Sequence, residues 1–161
     1  MQLLISDANI LIDMEVGELL DLMFTLPYQF KVPDMILDEE LEGMADRLRA
    51  LNIKVGELDG DGVDHAVELG RLYAKLSRYD CVGLALAKKE ACPLLTGDGD
   101  LRAAASHEAV LVKGTVWLLE QLILLGRISV ENARNSVTKM RENGRRLPWE
   151  ILELMLRRAE A

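Results

Sequence analysis

No apolar run in this 161-residue chain is long enough to span a bilayer. The N-terminus lacks a basic flank leading into an apolar stretch and a small-residue cleavage site. A secretory signal is therefore not expected, and residues 2–6 read as a buried strand instead. Cysteine is scarce: Cys81 and Cys92 stand alone, without metal-ligand spacing or a CxxC. They are expected as buried thiols of a reducing cytoplasm rather than a disulfide or a zinc site. Histidine is equally scarce, and neither His65 nor His107 has a nucleophile near it in sequence. Cations are outnumbered, 19 Lys and Arg against 27 Asp and Glu, for a net charge of −8. The deficit is uneven. Residues 1–130 hold 12 basic and 22 acidic side chains, whereas residues 131–161 hold 7 and 5. So acidic a body argues against broad, salt-driven binding to long nucleic acid, though not against a short strand entering a cation-filled site. The basic tail reads as a solvated helical face. Internal repeats, low-complexity stretches and linkers are also missing.

Half the residues are hydrophobic, enough for one domain with a substantial core. Strand and helix signals alternate, which predicts an α/β fold around a mostly parallel sheet. Strands are expected at 2–6, 28–32, 53–55, 92–96 (a central strand) and 110–112. Helices are expected at 10–25 with a break at Gly17, at 34–51 capped by Asp34, at 60–73 and at 78–90. From Thr115 the pattern is purely helical. Residues 116–125 leave almost no polar face, so this helix must be covered on more than one side. Gly126 ends it, Ser129 can cap the next helix, and Arg145-Arg146-Leu147-Pro148-Trp149 turns into a last helix.

The acids fall where such a sheet would gather them. Asp7 closes the first strand; Asn9 can cap the following helix, which leaves Asp7 free. Glu39 and Glu40 lie one to two turns inside the helix that follows Pro33, and one of them should face the crevice. Asp80 opens the helix at 78–90. Asp98 and Asp100 follow Leu94-Leu95-Thr96, with Asp100 the natural cap for the next helix. Strand ends and the helix starts after them share one crevice in doubly wound folds. Clustered carboxylates repel unless a cation neutralises them, and Mg²⁺ or Mn²⁺ suits oxygen ligands. Each acid alone has an ordinary structural explanation, as a cap or a macrodipole partner; their common edge is what points to a metal site.

The ordered set resembles the PIN-domain family, above all the VapC-type toxin ribonucleases of toxin–antitoxin pairs. Asp7-Ala8-Asn9-Ile10 is similar to the family's opening motif, with Ala8 replacing the usual hydroxyl residue. Glu39 with Gly43, or Glu40 with Leu41, resembles its second acid. Asp80-Cys81-Val82-Gly83-Leu84-Ala85-Leu86-Ala87 resembles the third motif, and Thr96-Gly97-Asp98-Gly99-Asp100-Leu101 the fourth. The resemblance covers about residues 1–125. It implies a three-layer α/β/α nuclease domain at 1–128, followed by a helical extension at 129–161 packed on the same domain.

It also implies metal-dependent hydrolysis of single-stranded RNA. Asp7, Glu39, Asp80 and Asp98 would be catalytic. Together with Glu40 and Asp100 they would hold one or two Mg²⁺ or Mn²⁺ ions, Asp100 as a peripheral ligand or orienter. Spacing favours Glu39 over Glu40 as the site-facing glutamate. Expected partners are RNA, an antitoxin protein and a second copy of the chain docked partly through residues 115–126; no membrane is expected. Two rivals remain. One is a PIN-like module that binds without cutting. The other is a receiver-like signalling domain, in which Lys113 would serve as the required lysine; Gly56-Glu57 after the strand at 53–55 counts against it.

Overall fold

The computed structural model describes all of residues 1–161. Five strands, β1 (Gln2–Ser6), β2 (Tyr28–Pro33), β3 (Lys54–Gly56), β4 (Leu94–Leu95) and β5 (Val112–Lys113), form one sheet in the order β3-β2-β1-β4-β5. Every pairing is parallel. The chain winds outward from β1 to β3, then returns to β4 and β5 on the other side. The order therefore reverses between β1 and β4, which is where doubly wound sheets open a crevice at their carboxyl ends. The strand at 92–96 lies inside the sheet, although β1 is its centre. Flanking bonds such as Asp7 N–H to the Leu95 carbonyl and Thr96 N–H to the Lys113 carbonyl, both 3.0 Å, carry the ladders past the short strands.

Side chains of β1 alternate between two cores, as the period-2 pleat requires. Leu4 packs with Leu95 in the larger core, while Ile5 packs with Leu94 in the smaller. The smaller core seats α5 (Gly60–Leu72), α6 (Arg78–Glu90) and α7 (Gly99–His107). The larger seats α1 (Ala8–Val16), α2 (Leu20–Met23), α3 (Asp34–Glu39), α4 (Ala45–Ala50), α8 (Thr115–Leu124), α9 (Val130–Glu142) and α10 (Trp149–Glu160). The result is a three-layer α/β/α arrangement. β3 is an edge strand ending in Gly56. Glu57 follows it, not the aspartate at the end of a middle strand that a receiver domain would need, and that rival falls.

The helix expected at 34–51 is broken. α3 stops at Glu39, a 3₁₀ turn covers Glu42–Met44, and α4 restarts at Ala45. Asp34 does not cap it: Pro33 holds the N-cap position, and Asp34 accepts only from the neighbouring Met35 N–H. Gly17 does mark the gap between α1 and α2. A Cβ there would lie 2.5 Å from Met140 Cε of α9, so glycine also permits that close approach.

The apolar α8 is covered within one chain. Leu118, Leu119 and Leu122 are buried together with Ala133 and Met140 of α9 and Leu152, Met155 and Leu156 of α10. Only Leu124 and Leu125 at its end stay exposed. Of the two covers open to this helix, the C-terminal helices or a second subunit, α9 and α10 supply the first. No helix is long and apolar enough to cross a membrane.

Candidate functional site

Asp7 sits where β1 gives way to α1, with extended backbone (φ −78°, ψ 171°) and only 8% of its surface exposed. That conformation suits an N-cap. One carboxyl oxygen accepts from the Ile10 N–H at 2.9 Å; the other accepts from the Thr96 hydroxyl at 2.5 Å. The expectation that Asn9 caps α1 is therefore wrong. Asp7 does so, because the capping residue must precede the helix in an extended conformation, whereas Asn9 already lies inside it. Burial pushes the Asp7 carboxyl up to about 6. The Thr96 and Ile10 hydrogen bonds oppose the shift, and the charges of Asp80 and Asp13 add to it.

Thr96 joins two motifs. Its hydroxyl donates to Asp7 and accepts from the Asp98 N–H at 3.1 Å. Asp98, not Asp100, caps α7, taking the Leu101 N–H at 2.8 Å. Asp98 has the extended backbone, and Asp100 is already in the first turn, so Asp100 is not the cap. Asp80 is half-buried and forms a reciprocal capping box with Ser77 at the start of α6. Burial raises its pKa, the Ser77 hydrogen bonds oppose that, and the charges of Asp98 and Asp100 raise it further.

The two glutamates separate. Glu39 pairs with Arg78 at 3.0 Å. Glu40 closes α3, and burial, then the charges of Asp80 and Glu39, push its carboxyl up. The chain turns out of the helix at Glu40, so helical spacing does not decide which of the two faces the site. Asp7, Asp80, Asp98, Asp100, Glu40 and Glu39 thus share one electrostatic neighbourhood, with Glu39 also paired to a cation. Every candidate donor is a carboxylate oxygen, as a hard divalent cation requires, and such an ion would offset the cost of burying Asp7, Asp80 and Glu40 as charges beside one another. As the side chains stand, no three acids are gathered tightly enough to hold an ion; Asp7, Asp80 and Asp98 are turned toward helix N-termini.

Beside the acids lies a polar network that joins residues far apart in the chain. Asp13, buried one turn beyond Asn9 on α1, accepts from the Thr115 hydroxyl at 2.9 Å and from Arg145 Nε at 2.7 Å. Arg145 also donates to the Asn9 side-chain oxygen at 3.1 Å. Gly144, with φ +76°, makes the left-handed turn before Arg145. The basic tail is thus not wholly a solvated face. The signals that existed were Asn9 and Asp13 four apart on one helix face and the Arg145-Arg146 pair.

A family model described as PIN domain matches residues 3–161. Among solved structures, a toxin-antitoxin complex from Klebsiella pneumoniae contains a chain 27% identical to this one. The match covers 62% of this chain and 89% of that one, with a TM-score of 0.51. The crystal structure of PAE2754 from Pyrobaculum aerophilum matches at 14% identity, over 74% of this chain and 89% of that one, with a TM-score of 0.54. That second likeness is one of fold. No curated protein matches.

Proposed function

Because this chain belongs to the PIN-domain family, we propose that it is a divalent-metal-dependent endoribonuclease acting on single-stranded RNA, and the toxin of a toxin–antitoxin pair. The observation that carries this reading is Asp7. Its carboxyl is sealed at the point where the strand order reverses, fixed by Thr96 and Ile10, and pushed up to about 6 with Asp80 adding to the shift. A buried acid beside like charges is a frequent mark of a functional site.

Asp7, Asp80, Asp98 and Glu40 would hold Mg²⁺ or Mn²⁺, joined by Glu39 if Arg78 releases it, with Asp100 at the periphery. The ion would supply Lewis acidity for phosphodiester hydrolysis. The protein's own groups do the positioning. Thr96 fixes the orientation of Asp7 and, through the Asp98 amide, the start of α7. The carboxylates can align an attacking water. An antitoxin partner is suggested by the Klebsiella pneumoniae complex. A homodimer remains part of the reading through family likeness alone.

The test is cleavage of a labelled single-stranded RNA by the purified protein in Mg²⁺ or Mn²⁺. EDTA should abolish it, and Asp7→Asn should lower it about 100-fold or more. Cleavage that survives both overturns the reading. One observation favours a second reading, an RNA-binding module without catalysis: Asp7, Asp80 and Asp98 all serve as helix-capping groups. RNA retained but uncut in both metals would select it.

A further inference from the structure

A cleft of about 860 Å³ opens beside the acids, between the start of α7, the end of β5 and the α9–α10 connection. Thr96 and Asp98 line it, so it is continuous with the acid cluster. Four cations also line it: Arg102, Lys113, Arg145 and Arg146. In a chain of net charge −8 such a concentration is unexpected. Arg145 is spent on Asp13 and Asn9. Arg102, Lys113 and Arg146 have no carboxylate within salt-bridge distance, although ten other Lys and Arg side chains, Arg145 among them, make such pairs.

These three converge from separate elements. Arg102 comes from α7, Lys113 from β5 and Arg146 from the α9–α10 connection. Arg145 is the positioning residue for the last of these, because its hydrogen bonds tie the connection to α1. Lys113 Nζ lies 5.4 Å above the Trp117 ring, which forms part of the cleft wall. The only unpaired acid on the walls outside the metal-site candidates is Glu120. A charged rim with an aromatic surface, leading to a phosphodiester-cutting centre, matches how single strands are held by their backbones.

We propose that this cleft is the track for the RNA strand on one side of the cleavage centre, with Arg102, Lys113 and Arg146 taking backbone phosphates. The inference rests on the proposed function for the identity of the strand. It gives the C-terminal segment a substrate role, since Arg146 is delivered by the turn that Gly144 and Arg145 build.

The test is fluorescence anisotropy with a labelled single-stranded RNA of roughly a dozen nucleotides, in Ca²⁺ as a hard cation for the acid cluster, across a range of KCl. Arg102→Ala, Lys113→Ala and Arg146→Ala should each weaken binding to unrelated sequences alike. Each should also flatten the slope of log affinity against log salt by about 0.7. The double reversal Arg102→Glu with Arg146→Glu should weaken binding on the order of tenfold or more. Lys75→Glu with Arg158→Glu, the same charge change on exposed residues away from the cleft, should weaken it far less. Circular dichroism and melting of each variant separate loss of binding from loss of fold. Equal weakening by the two double reversals, an unchanged affinity in Arg102→Glu with Arg146→Glu, or no binding by the wild type overturns the track. Failure of the nuclease reading is distinguishable. An uncut RNA whose binding still depends on the three cations leaves the track standing, whereas cleavage with unchanged KM in the cleft variants leaves the nuclease and removes the track.

Discussion

Asp7→Asn should stabilise the metal-free protein while disabling its site. Asp7 ionises at about 6 in the folded chain against an ordinary aspartate value of 3.8. The group is buried, so the gap of about 2 units amounts to roughly 3 kcal/mol of destabilisation once the carboxyl is charged. The folded pKa is raised, so below pH ~4 both states are protonated and no penalty exists. It grows between pH ~4 and ~6 and is fully present above that. Asparagine carries no such charge and can still accept the Ile10 N–H. Its amide meets the Thr96 hydroxyl less well, because that hydroxyl already accepts from Asp98 N–H; this offsets about 1–2 kcal/mol. A net gain of about 1–2 kcal/mol at pH 7.5 corresponds to a melting point higher by roughly 2–8 °C. Differential scanning calorimetry in EDTA at pH 4.5 and 7.5 is the assay. The gain should be present at the higher pH and absent or reversed at the lower. Millimolar Mg²⁺ should raise the wild type and leave the variant in place. A variant less stable by the same amount at both pH values would refute the argument.

Glu40→Gln should reduce RNA cleavage more than Glu39→Gln, since Glu40 feels the Asp80 charge and Glu39 is paired with Arg78; initial rates with both variants decide, and the reverse order restores the assignment from spacing. Arg145→Met should cost about 3 kcal/mol in urea unfolding, because it leaves the buried Asp13 carboxyl without its cation; a loss under about 1 kcal/mol would mean that Thr115 and water suffice. Removing residues 129–161 should expose the face of α8 now covered by α9 and α10 and cause aggregation. A shortened protein that stays soluble and dimeric in light scattering would show that a second subunit does the covering.

The fold was legible because its signals are local. The apolar run of β1, the helical spacing and small residues of α6, and the Ser129 cap of α9 each lie within a few residues of the element they define. The break between α3 and α4 escaped because the apolar spacing of Ile36, Leu37, Leu41 and Leu48 continues across it. Leu41 and Leu48 are both buried although the backbone between them leaves the α-helix. Which acid caps which helix was also misjudged at Asp7 and Asp98, since composition near a helix start does not reveal which residue is still extended. The positions of the acids along the chain could be read. Their partners could not: Thr96 reaches Asp7 across 89 positions and Arg145 reaches Asp13 across 132.

That last distance has a temporal consequence. A contact spanning most of the chain closes a large loop, and its entropy must be met before the contact rewards it. β1 can find β4 only once Leu95 has been made, and the Asp13–Arg145 pair can form only once Arg145 has. A growing chain on the ribosome would therefore hold all of its candidate acids, the last being Asp100, before Arg145 and Arg146 complete the proposed track. For a protein whose proposed target is RNA, the order in which the chain appears would itself delay activity until that later segment has been made.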